Sequence, residues 1–107
     1  MGVIIREKNS GTPLAEAVAG RGLLTYEGNL YYDSRLVNHQ VLRVSDRTYT
    51  CPVKGTCHWV DFVDPQGQLV QDVAWVYADP KSGHEAIKDR FGFYAGARGA
   101  TRQDDAR

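Results

Sequence analysis

Two stretches of this sequence carry most of the side chains whose types and spacing could do chemistry. The first runs from Cys51 to Cys57 and holds Lys54 next to Gly55 and close to Pro52. A lysine near a thiol lowers the thiol pKa and makes it a nucleophile, provided that both groups are close together and partly desolvated. Cys51 is therefore a candidate catalytic residue. A buried structural cysteine is the more common arrangement and remains the alternative.

The second stretch runs from Asp72 to Pro80 and begins with an aspartate that we expect on an apolar strand face. A carboxylate in such a place must be paired, hydrogen-bonded or shifted in pKa. Asp72 is therefore a candidate general base or ligand acceptor, oriented by His58. The alternative is a structural carboxylate that bonds Lys54, a turn amide or Arg47.

Aromatic residues on the same strands could form a cleft that stacks a flat ligand such as a nucleobase. Trp75, Tyr77 and Phe93 are the candidates, and ordinary core packing is the alternative. Together with the polar groups above, the sequence predicts a ligand-binding set of Lys54, Asp72, Trp75 and Tyr77.

We predict no metal site, because Cys51, Cys57 and His58 lack the tight Cys-x2-Cys spacing of structural zinc knuckles. The sequence leaves the cofactor unknown. Residues 1–8 contain only a three-residue apolar run, too short for the core of a secretory signal, so we expect a cytoplasmic protein with reduced thiols.

A central hairpin must position these groups. Asp64-Pro65-Gln66-Gly67 has Pro and Gly where a tight turn needs them, between two strand-like runs. With a three-residue loop, Asp64 pairs with Gln68. Counting outwards, the predicted facing pairs are Phe62 and Val70, Val60 and Asp72, and His58 and Ala74, which makes His58 and Asp72 diagonal neighbours.

The rest of the chain predicts a compact, mainly β, antiparallel domain with one or two short helices. We expect one β-rich domain over residues 1–97 and a flexible tail over 98–107, where apolar periodicity ends. Residues 13–19 suit a strand somewhat better than a helix. A short helix is expected over about residues 83–90, with Ser82 and Glu85 at the spacing of a capping box.

Composition limits the partners. The 107 residues include 13 basic and 13 acidic side chains, so no overall field attracts a polyanion and we expect no nucleic-acid partner. No apolar run approaches transmembrane length, so we expect no membrane association. A small-molecule ligand is the partner that the candidate residues suit, and the sequence leaves the oligomeric state open.

Five segments form an ordered set of motifs that covers most of the chain. They are Glu27-Gly28-Asn29-Leu30-Tyr31-Tyr32, Ser45-Asp46-Arg47-Thr48, Cys51-Pro52-Val53-Lys54-Gly55, Asp72-Val73-Ala74-Trp75-Val76-Tyr77-Ala78-Asp79-Pro80 and Gly92-Phe93-Tyr94. This set resembles the small, mainly bacterial domain-of-unknown-function 427 family. The family pattern is Cys-Pro-Trp-Lys-Gly, then Asp-x-Ala-Trp-x-Tyr-Pro-x-Pro, then an ending like Val-Ala-Phe-Tyr.

The resemblance implies a β-tent-like fold and brings with it a nucleotidyltransferase-like label, although no phosphate loop or metal-binding carboxylate pair is apparent. This chain departs from the pattern at Val53, where the family has Trp, and at Ala78, where it has Pro. Cys57 lies at a position where the family usually has Ala, which argues against a pairing of Cys51 with Cys57 throughout the family.

Three functions remain open at this point. The residues favour a small-molecule or metabolite-binding β domain. The alternatives are an enzyme, either nucleotidyltransferase-like or dependent on Cys51, and a protein-interaction module.

Overall fold

Short runs of β-forming residues, separated by glycine-containing turns, fold the chain into strands joined mostly by tight turns. The computed structural model describes residues 2–106. The strands are β1 (Gly2–Glu7), β2 (Pro13–Ala17), β3 (Leu23–Tyr26), β4 (Asn29–Tyr32), β5 (Leu42–Cys51), β6 (Gly55–Val63), β7 (Leu69–Val76), β8 (Phe91–Tyr94) and β9 (Thr101–Ala106). Single 3₁₀ turns lie at Val18–Gly20, Ser34–Leu36 and Glu85–Ile87.

The strands form two antiparallel sheets. One has three strands in the order β2-β1-β9, and the other has six in the order β3-β4-β8-β7-β6-β5. The predicted mainly β, antiparallel fold is confirmed. Within residues 2–106, no helix is long and apolar enough to cross a membrane.

The six-stranded sheet is apolar on both faces because successive side chains along a strand point to opposite sides. One face packs on the three-stranded sheet and forms the main core, with Tyr32, Val60 and Phe93 against Ile5 and Leu14. The other face carries a second buried cluster of Tyr31, Cys57, Trp75, Tyr77 and Ile87. The candidate site lies on this second face.

The predicted hairpin at Asp64 is confirmed. The backbone N–H of Asp64 donates to the carbonyl of Gln68 over 3.0 Å, and Gly67 has the positive φ of 85° that the turn requires. Phe62 pairs with Val70 as expected. The strand character of residues 13–17 is also confirmed, since they form β2.

The register beyond Phe62 differs from the prediction. Phe62 pairs with Val70, yet Val60 pairs with Ala74 instead of Asp72, because β7 contains a bulge between these pairs. Asp72 lies in the bulge with a positive φ of 62°. β5 contains a second irregularity, between Val44 and Thr48, and continues through it as one long strand.

Two further expectations differ from the structure. The helix expected over about residues 83–90 is only the 3₁₀ turn Glu85–Ile87, and the expected capping box is replaced by a bond from the Gly83 N–H to the Glu85 carboxylate. Residues 101–106 of the expected flexible tail instead form β9, which pairs with β1 over its full length. Backbone pairing supplies order there that the polar sequence does not indicate.

Candidate functional site

Each strand of the six-stranded sheet contributes one aromatic side chain to a continuous row on the outer face. Neighbouring rings lie with centroids 4.9 to 6.4 Å apart, mostly in edge-to-face arrangements. In sheet order from β3 to β5, the row is Tyr26, Tyr31, Tyr94, Trp75, Trp59 and Tyr49. The row, together with Tyr77 just after β7, forms a largely aromatic surface.

A cavity opens on this row. Its empty volume is about 430 Å³ with the open mouth included, and nine residues line it. Six are aromatic, namely Tyr31, Tyr49, Trp59, Trp75, Tyr77 and Tyr94, and the other three are Asn29, Lys54 and Cys57. Aromatic walls with a few polar groups are typical of a small-molecule site.

A glycine makes room for the indole at the centre of the row. Gly92 pairs with both Tyr31 and Trp75 across the sheet. A Cβ on Gly92 would lie 2.3 Å from Nε1 of Trp75, so no larger residue fits beneath the indole. The indole therefore crosses β8, and its Nε1–H donates to the Tyr31 hydroxyl oxygen over 3.1 Å. This bond fixes both rings in the cavity wall.

Lys54 supplies the charge in the cavity lining. The turn at residues 51–55 places its ammonium against the aromatic face, where 17% of the side chain remains exposed. Its Nζ lies 2.7 Å from Oε1 of Glu27, which belongs to the β3–β4 turn. This hydrogen bond raises the pKa of Lys54 and lowers the pKa of Glu27. Lys54 is therefore an ammonium at neutral pH.

Three proton donors at the base of the cavity stay neutral. Burial raises the pKa of Tyr31, of Tyr77 and of the Cys57 thiol above their usual values. Their O–H and S–H groups consequently keep their protons at neutral pH, so the buried wall offers donors without adding negative charge.

Cys51 lies beside the cavity, not in its lining. The backbone N–H of Lys54 donates to its sulfur over 3.4 Å. Backbone N–H groups of Lys54 and Val53 lower the thiol pKa of Cys51, with a smaller contribution from the Lys54 charge. The structure thus gives Cys51 some thiolate character by a different route from the side-chain contact that the sequence suggested.

The structure does not bring Asp72 to the cavity. Its carboxylate accepts a hydrogen bond from Nη2 of Arg47 over 2.7 Å, which is one of the structural pairings considered from the sequence. His58 also points elsewhere, because its Nδ1 bonds the carbonyl of Ser45 over 2.9 Å. The expected His58/Asp72 dyad is absent from the structure because the β7 bulge shifts Asp72 out of the simple register.

Of the predicted ligand-binding set, Lys54, Trp75 and Tyr77 come together in one cavity. The third aromatic candidate, Phe93, is fully buried between the two sheets, and its neighbour Tyr94 lines the cavity instead. Strand alternation could have indicated Tyr94. Gly92 pairs with Trp75 across the sheet, and residues two apart in a strand share a face, so Tyr94 lies on the same face as Trp75.

The predicted ligand-binding set did not include six other residues of the cavity lining. They are Asn29, Tyr31, Tyr49, Cys57, Trp59 and Tyr94, with Glu27 as the partner of Lys54. Among residues 2–106, no group of three or more His, Cys, Asp or Glu side chains is arranged to hold a metal ion.

A family model matches most of the chain. No curated protein matches the chain. The family described as "Domain of unknown function (DUF427)" matches residues 9–104, a span that includes every cavity-lining residue. The chain therefore belongs to the domain-of-unknown-function 427 family.

Proposed function

We propose that this protein binds a small, flat molecule in the aromatic cavity of its six-stranded sheet. The observation that carries the proposal is the convergence of six aromatic side chains and one partly buried lysine on a single open cavity. Rings supply stacking and edge-to-face contacts with a planar ligand, and the lysine with the phenolic hydroxyls orients it. The expected location of this activity is the cytoplasm.

The arrangement favours binding over ordinary core packing for a physical reason. A packed core closes its aromatic residues away from water, and this row ends in Tyr49, which is 53% exposed. Lys54 also remains partly exposed at the cavity. A ligand could therefore enter and cover aromatic surface that the folded chain leaves open.

Both tryptophans of the sequence, Trp59 and Trp75, line the cavity, so tryptophan fluorescence, excited selectively over that of the tyrosines, reports on this site. We expect a saturable change in emission when the protein is titrated with a panel of small aromatic metabolites. The single-tryptophan variants Trp59→Phe and Trp75→Phe should each retain a response, because each remaining indole lies in the cavity wall.

A matched pair of variants distinguishes the cavity from other apolar surface. Tyr49 and Leu69 are 53% and 52% exposed, and only Tyr49 lines the cavity. Tyr49→Ala should weaken binding about three- to tenfold, the value of one aromatic contact, and Leu69→Ala should leave binding unchanged. The absence of any saturable response, or equal effects of the two substitutions, would refute the proposal.

A further inference from the structure

The charge that faces the cavity is positive. Among the described lining residues, Lys54 is the one with a charged side chain, and Glu27 reaches it from outside the lining. The guanidinium of Arg98 is a second cation near this face, because it lies over the ring of the lining residue Tyr94 with its carbon 4.5 Å from the centroid. These two cations repel a cationic ligand, whereas an anionic ligand can pair with Lys54 once it displaces Glu27.

The carboxylate of Glu27 shows where an anion fits. Glu27 and Gly28 form the two-residue turn between β3 and β4, and both have positive φ. This turn holds the carboxylate 2.7 Å from the Lys54 ammonium with 49% of the Glu27 side chain exposed. An ion pair with one half-exposed partner is weak, so a second carboxylate can replace Glu27 at low cost.

The neutral donors in the wall complement a carboxylate as well. The Tyr31 oxygen already accepts from the Trp75 indole, so its own O–H is directed away from that ring and remains able to donate. Tyr77 offers a second phenolic hydroxyl in the same lining. A ligand whose acceptor atoms lie at the edge of an aromatic ring can therefore accept hydrogen bonds from Lys54 and from the Tyr31 hydroxyl.

Resting on the proposed function, we infer that the ligand is a small aromatic carboxylate. Its ring lies against Trp59 and Trp75, and its carboxylate takes the place of Glu27 on Lys54. Glu27 then acts as a built-in competitor that the ligand displaces. A carboxylate is the anion inferred, because the group that it replaces on Lys54 is itself a carboxylate.

Three probes with the same ring and different charges test this inference. They are benzoate, benzamide and benzylammonium, titrated at low ionic strength and followed by amide chemical shifts. Benzoate should bind about tenfold more tightly than benzamide, the value of a hydrogen bond to a charged group, and benzylammonium most weakly. Lys54→Met should abolish the preference for benzoate, and Lys8→Met, which removes an exposed lysine outside the cavity, should preserve it.

The conservative substitution Glu27→Gln should strengthen benzoate binding, so this test does not depend on a disruptive substitution. Without its competitor, Lys54 should bind benzoate several-fold more tightly, while benzamide affinity stays the same. Equal binding of benzoate and benzamide, or a Glu27→Gln variant with unchanged benzoate affinity, would overturn this inference and leave the proposed binding function intact. If none of the three probes and no other flat molecule binds, the proposed function fails together with the inference.

Discussion

Neighbouring side chains of the segment from Cys51 to Cys57 lie in different environments. Cys51 is half-buried at the turn, where backbone N–H groups lower its thiol pKa. Cys57 is buried in the cavity wall, where burial raises the pKa of its thiol. Thiolate, not thiol, is the reactive form, so the two cysteines should differ in reactivity although they are close in sequence.

Alkylation with iodoacetamide at neutral pH tests this difference. In the Cys57→Ala variant, Cys51 should react at least as fast as the thiol of a model peptide, because its pKa lies below the usual value. In the Cys51→Ala variant, Cys57 should react only as the protein unfolds. Its raised pKa means that its protection persists as the pH rises through the usual cysteine range. Equal rates in the two folded variants would contradict these assignments.

The residues of the candidate site differ in whether their positions could be predicted from the neighbouring sequence. Lys54, Trp75 and Tyr77 could be predicted because period-two alternation and a nearby turn placed them on one face. Glu27 and Tyr31 meet Lys54 and Trp75 only through pairing of strands distant in the sequence. Nothing in the residues near Lys54 indicates which strand will lie beside it.

At the scale of strands, Arg47 connects two bulges. It lies in the irregular part of β5, and its Nη2 bonds both Asp61 on β6 and Asp72 in the bulge of β7. The Asp61 carboxylate also accepts the backbone N–H of Asp72 over 3.0 Å. One guanidinium therefore holds three neighbouring strands in their bulged register.

Arg47→Ala should lower the free energy of unfolding by about 1–3 kcal/mol, because the buried Asp61 loses its cation. Arg35→Ala is the matched control, since its pair with Asp33 is on the surface and Arg35 is 84% exposed. This control should cost less than about 1 kcal/mol. Urea unfolding measures both, and equal losses would show that the Arg47 cluster contributes nothing beyond a surface ion pair.

Turns could be predicted better than bulges. The hairpin at Asp64 follows from Pro65 and Gly67, whose backbone preferences act locally. The bulge at Asp72 has no such signal, because a non-glycine residue takes a positive φ there only with the help of Asp61 and Arg47. Two successive polar residues, Gln71 and Asp72, interrupt an otherwise apolar strand and are the local feature that could have indicated it.

At the scale of the whole molecule, the two ends of the described chain meet in the three-stranded sheet. β9 pairs with β1 from Thr101 opposite Glu7 to Ala106 opposite Gly2. Thr101 is buried, and Asp104 accepts hydrogen bonds or ion pairs from Arg6 and Arg102 at 3.2 Å. This sheet covers the inner face of the six-stranded sheet and so supports the cavity from behind.

Deleting residues 101–107 should destabilise the protein on the order of 2–4 kcal/mol, because β1 loses its partner and the buried Thr101 is removed. Amide hydrogen exchange in β1 should accelerate, and urea unfolding should begin at lower concentration. Asp105→Asn, a change at an exposed position of the same strand, should leave both close to the unchanged protein. A truncated chain of full stability would show that β9 is dispensable.

The existence of β9 could not be predicted from its own residues. Thr101–Ala106 has no apolar alternation, and its strand form comes from pairing with β1 at the opposite end of the sequence. The mainly β class could be predicted, because most other strands carry their own β-forming residues and turns.

Chemical-shift mapping of a bound aromatic carboxylate is the most direct test of the central claim that the aromatic face is a binding site. Titration with benzoate should shift the indole N–H signals of Trp59 and Trp75 and the backbone amides of the cavity lining. Amides of the three-stranded sheet, on the opposite side of the six-stranded sheet, should not move. Shifts concentrated on the three-stranded sheet or scattered over the whole surface would contradict this claim, and so would the absence of shifts with benzoate and with every other flat molecule tested.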